Sequence, residues 1–313
     1  MAIAALLKAG FVGQPLPVGA ANPGGLLSLW LQQQLFVALH PGFVQFLSIV
    51  VLTGSALVAD GVVNSRRMFN RRHLLVSVSV VLFTSLFPPV QLFNPGTLML
   101  PLSILLFSQI TALYTTTRAR TTIVNIGMLA GLGYLLYHPF LFVLPICFIG
   151  LSTMRPFKLS EWLLMLLGLL APAYFILSIQ YLSNNWQPMQ HLPNFSFTLT
   201  RQVWSWYAIT ATAVASIWLL AGLSSWQQQT RRMLIQGRKN WTILLTMGFL
   251  CLPGLFFPTG NTASMLTLLA FPAGSIMANA FVADKKAIGQ LLWFWMLIAT
   301  AALVTWAFKQ GWW

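Results

Sequence analysis

The chain carries three carboxylates, Asp60, Glu161 and Asp284, and four histidines in 313 residues. Asp60 precedes Arg66, Glu161 follows Arg155 and Lys158, and Asp284 adjoins Lys285. Each acid therefore has basic neighbours, and charge balance at a membrane boundary is its expected role. Glycoside hydrolysis needs two carboxylates in one site, and a hydrolytic triad needs an acid beside a histidine and a serine. Neither set is in prospect on the face where His40, His138 and His191 are expected, because no acid falls there. The three histidines are far apart, and two precede proline, so they lack the spacing of a zinc site. No metal and no cofactor is expected. Cys147 and Cys251 lie inside apolar runs and read as small hydrophobic residues. The remaining chemistry rests on Arg201, at the start of an apolar run, with His191 before it in sequence. A guanidinium there could clamp a lipid-linked diphosphate bidentately, with His191 or His138 moving the proton. A polyprenyl-phosphate is the ligand that such a site implies. The plainer reading of Arg201 is a basic side chain snorkelling from a helix end.

The elements that must position these groups are membrane helices. The chain is 58% hydrophobic and 6% charged, with a mean hydropathy of +0.77. A soluble domain carries about 25% charged residues. A net charge of +14 would suit nucleic acid if it sat on one surface, but it is divided among short loops. Nucleic acid is excluded as a partner on that ground. The basic clusters are Arg66, Arg67, Arg71 and Arg72; Arg118 and Arg120; Arg155 and Lys158; Arg231, Arg232, Arg238 and Lys239; and Lys285 and Lys286. Basic residues in short loops are retained on the cytoplasmic side, which sets the orientation. The first and fourth clusters are expected to meet lipid headgroups, at roughly 1 kcal/mol per residue near an anionic surface. A multi-pass protein of a bacterial inner membrane follows, with membrane lipids as its standing partners.

The fold class is all-α, a single integral membrane domain over residues 1–313. Ten spans are expected, at about 42–63, 74–92, 98–114, 122–137, 140–154, 162–182, 203–223, 241–257, 263–282 and 291–308. Residues 183–200 form a polar outer loop. The C-terminus lies outside, with Trp312 and Trp313 at the interface. Residues 1–40 are an outer, interfacial segment or the remnant of a first helix. If residues 1–13 belong to a further helix, the count is eleven. Leu26 to His40 reads as an amphipathic helix on the outer face. Gly131 and Gly133 read as small packing positions, not as a phosphate loop.

Two stretches share a layout. SRRMFNRRHLL from Ser65 and TRRMLIQGRKNW from Thr230 both carry Arg-Arg-Met, a second basic pair, a span and a Phe-Pro stop. This suggests two parallel four-span repeats, 41–138 and 203–308, around a hairpin at 139–182.

Three blocks carry a resemblance: FTSLFPP (83–89), RTTIVNIGMLAGLGYLLYHP (120–139) and MRPFKLSEWLLMLLGLLAPAYF (154–175). They resemble a family of uncharacterised polytopic inner-membrane proteins of Bacteroidota, domain of unknown function 6427. The resemblance implies a multi-span fold and carries no assigned activity. Family members begin with a basic start and a full first helix, from which this chain departs. Three functions follow as expectations. The leading one is a non-catalytic subunit or scaffold in cell-envelope biogenesis, with an envelope protein as its partner. The second is a metal-independent polyprenyl-linked glycan transferase or polymerase. The third is a transporter or lipid flippase working in a cleft between the repeats.

Overall fold

The computed structural model describes residues 40–69, 73–91, 94–116, 119–182, 206–230, 233–256, 262–283 and 287–309. The N-terminal segment, the loop at 183–200, His191, Arg201, Arg71, Arg72, Arg231 and Arg232 lie outside the described residues. What is described is all-α: eleven α-helices and one 3-10 turn.

Helix α1 spans Pro41–Ser65, with His40 as N-cap and Pro41 at its first position, where a missing N–H costs nothing. Helix α2 spans Leu75–Leu86, and the short α3 spans Pro88–Gln91. The expected second span is therefore two helices. Pro88 and Pro89 supply no N–H, and Phe87 before them is driven to extended geometry, at φ −115° and ψ 98°. Helix α4 is Pro95–Ala112 and α5 is Ala119–Leu136. The expected fifth span is a 3-10 turn, His138–Phe142, followed by α6, Pro145–Met154. Helix α7 is Leu159–Leu182, α8 is Trp206–Thr230 and α9 is Ile235–Phe256. Helix α10 is Thr262–Ala283 and α11 is Ala287–Lys309.

Helical segments thus occupy all ten expected stretches. Five of them, α1, α5, α7, α8 and α10, are long and apolar enough to cross a membrane. The rest of the apolar set is shorter, so a count of ten crossings goes beyond what length and composition establish.

Helix α10 is the centre of the bundle, with 83% of its apolar window buried. It packs against α2, α4, α8 and α9. Gly274 lets the main chain of α2 approach at Val80, and Gly222 of α8 sits against the Ile276 carbonyl. Small residues at such crossings are how helices associate where lipid removes the hydrophobic drive. Phe107 of α4 meets Phe271 of α10 edge to face, with centroids 5.3 Å apart. Helix α7 stands apart. It packs on α5 through Gly127, Gly131 and Gly168, each against main chain of the other helix. Its outward side is apolar and exposed, including Leu163, Leu167, Leu170, Tyr174 and Phe175.

Candidate functional site

Basic residues from two loop clusters meet at one end of the bundle among the described residues. Helix α1 closes through Arg67, which takes φ 50°, and the chain turns under the bundle. The Trp241 indole donates to the Met68 carbonyl at 3.0 Å, and the Asn240 amide donates to the Arg66 carbonyl at 3.4 Å. The Arg66 guanidinium donates to the Ser108 carbonyl of α4 at 2.9 Å. Lys239 lies 5.4 Å from the Tyr114 ring centroid. Arg66, Arg67, Arg238 and Lys239 are thus brought to one end. Arg66 is half-buried, and burial holds its guanidinium below the ordinary arginine value. Arg155 and Glu161 pair at 3.4 Å, the charge balance expected of that acid.

Asp60 differs from the expectation. It is 2% exposed, inside the bundle. The Asn64 amide, one helical turn further on, donates to its Oδ2 at 2.8 Å and to the His73 carbonyl at 3.0 Å. The main-chain N–H groups of Val76 and Ser77, in the first turn of α2, face the carboxylate. The first N–H groups of a helix have no partner within it, which offsets part of the cost of burying an acid there. The His73 ring stands edge-on to Phe69 at 4.5 Å, and Phe69 meets Trp241 at 5.5 Å. Burial pulls the His73 imidazole below its ordinary value, and the charge of Asp60 opposes that pull. His73, Asn64 and Asn240 escape a reading of the sequence. The available signal is the Asp60–Asn64 spacing, which puts both side chains on one helix face.

The opposite end holds a second buried polar group, without charge among the described residues. It forms where α2 breaks. The Ser85 carbonyl would accept from residue 89 in a continuous helix, but residue 89 is proline. The Gln91 side-chain amide fills the place, donating to that carbonyl at 3.0 Å. The same nitrogen lies 3.4 Å from the Thr305 hydroxyl of α11. Gln45 of α1 donates to the Gln91 carbonyl at 2.6 Å. The Thr267 hydroxyl of α10 lies 3.4 Å from Asn94 Oδ1, at the start of α4. Gln45, Gln91, Asn94 and Thr267 are all nearly fully buried. His138 also lies in the 3-10 turn, its ring 5.4 Å from that of Tyr134. Arg201 and His191, which the sequence reading sets beside it, lie outside the described residues. Among those residues no cluster of His, Cys, Asp or Glu could hold a metal.

A bundle of apolar helices with buried polar groups at both ends, five helices of which can cross a bilayer, defines a polytopic helical membrane protein. Within that class the chain belongs to the family of unknown function DUF6427, whose model matches residues 24–310. No curated protein and no solved structure matches it.

Proposed function

We propose that the protein is a transporter or lipid flippase of the bacterial inner membrane, acting on a cargo with a polar, hydroxyl- or phosphate-bearing head. The observation that carries this is the break between α2 and α3, buried among Gln45, Gln91, Asn94 and Thr267. Non-helical backbone at membrane depth is tolerated only inside protein or along a wet cavity. Discontinuous helices also build the substrate sites of transporters, and buried intramembrane polar residues mark pathways. Polyprenyl-phosphates and phospholipids share the required amphipathic form. The protein is to be reconstituted in vesicles carrying either labelled lipid, with movement between leaflets followed by quenching. Movement well above that of empty vesicles, lost in Gln91→Leu, is expected. No movement of either lipid overturns the proposal.

The proposed topology puts the basic end in the cytoplasm, with ten crossings and the C-terminus outside. The native cysteines are buried, which leaves introduced ones readable. A cysteine at Lys158 should be labelled from the cytoplasmic side alone, and one at His138 from the outside alone.

A subunit role in envelope biogenesis is the second reading. It is favoured by α7, which is held along one face and offers the rest of its surface to a neighbour. A photo-crosslinker at Leu163 or Leu170 would capture one defined protein if this is right, and lipid alone if it is wrong.

A further inference from the structure

Buried polar atoms are usually paired, and those left over mark a site with more to do. At the basic end, among the described residues, Asp60 Oδ1, Asn64 Oδ1 and both ring nitrogens of His73 are buried and have no hydrogen-bond partner. Two of these atoms are acceptors, and a neutral imidazole offers one donor. A doubly protonated imidazole offers two donors and a charge opposite to that of Asp60. Asn64 ties the two residues together, holding the carboxylate of one and the carbonyl of the other with a single nitrogen. The edge-on ring of Phe69 adds a further contact to the imidazole.

We propose that His73 and Asp60 form a proton-binding site whose occupancy is coupled to the docking of the turn at 66–69 on α9. The turn is held there by two main-chain carbonyls, those of Arg66 and Met68, on Asn240 and Trp241. His73 follows that turn, so a charge on its ring is felt where the turn docks. Among the described residues, the charged and titratable groups on the surrounding elements are Asp60 on α1, Arg66 and Arg67 in the turn, Tyr114 beyond α4, and Arg238 and Lys239 on α9. Helices α2, α8 and α10 bring no other charged side chain among the described residues. Burial acts against protonation of the ring, and the charge of Asp60 only partly offsets it. Proton uptake by the docked state therefore lies on the acid side of an ordinary histidine, and acid favours release of the turn. This inference stands independently of the transport reading, since it concerns only proton binding.

The test uses the whole protein in detergent micelles with isotope-labelled histidine. Ring resonances are followed by NMR across about pH 5 to 7, where histidine titrates. One of the four histidines should titrate below the ordinary value of 6.5, vanish in His73→Gln and move further down in Asp60→Asn. A His73 resonance that titrates at the ordinary value and ignores Asp60→Asn overturns the proposal. If Asp60→Asn does not fold, thermal unfolding decides instead. The wild type should lose stability as pH falls through the His73 midpoint, while His73→Gln should not. Parallel profiles for the two proteins also overturn it.

Discussion

Gln91 acts where proline has removed a donor. Its amide gives the Ser85 carbonyl the hydrogen bond that Pro89 cannot supply. Gln91→Leu leaves that buried carbonyl unsatisfied, at a cost of about 1–3 kcal/mol. Pro89→Ala restores a main-chain donor, so the same substitution should cost less in that background. Thermal unfolding of the four proteins, as a double-mutant cycle, measures the coupling. Arg67 makes the opposite case, since its left-handed backbone is a strain that glycine escapes. Arg67→Gly should stabilise the turn by about 1 kcal/mol, seen as a raised melting temperature. The pH dependence of His73 has a definite sign. Its folded-state value is depressed by burial, so its contribution to stability is present above the unfolded value of 6.5 and is lost as pH falls through the folded one. These roles were hard to see in the sequence. His73 sits next to four arginines and reads as part of a basic loop. Gln91 reads as a polar residue near a turn, because its function depends on where the carbonyl of Ser85, earlier in the chain, happens to point, not on any motif.

At the scale of elements, apolar runs and Pro-Gly punctuation placed the helices well, because lipid forces every backbone group to pair internally. The misses have one cause. The break at Phe87-Pro88-Pro89 and the turn at His138-Pro139 are legible as punctuation, but hydropathy averaged over a window shows neither the separate helix Pro88–Gln91 nor the 3-10 turn His138–Phe142. Gly131 was legible as a packing position, and it does carry α7 on α5. Gly127 is the sharper test, since a Cβ there meets the Met165 carbonyl, which belongs to rigid main chain. Gly127→Leu should cost about 1–3 kcal/mol by overpacking and loosen α7 first, detected as earlier proteolysis within α7 on heating. A parallel duplication remains a proposal. In its favour, α4 packs on α1 as α10 packs on α8, and α4 and α10 meet each other. An experimental structure whose two four-helix units fail to superpose would remove it.

For the molecule as a whole, the charge pattern is what carries the proposed orientation, because retention of basic loops acts on the whole chain at once. Arg66, Arg67, Arg238 and Lys239 do meet at one end, although their clusters are separated by most of the sequence. The acids were less legible, because burial is decided by packing. Asp60 and Glu161 have similar surroundings in sequence, yet one lies inside the bundle and the other makes an ion pair near its edge. Replacing Arg238 and Lys239 together by glutamine should weaken attraction to anionic lipid by about 2 kcal/mol, read as reduced co-purification of anionic lipid. Helix α7, at 24 residues, is about 36 Å long. The turn and α6 together offer only 15 residues, or roughly 25 Å with the steeper rise of the turn. Helix α7 is therefore longer than a bilayer's hydrocarbon core of about 30 Å, and the turn with α6 is shorter. A helix of that length fits a bilayer by leaning or by gathering thicker lipid around it. Acyl-chain length is then a variable, beside charge, to which the setting of α7 should respond.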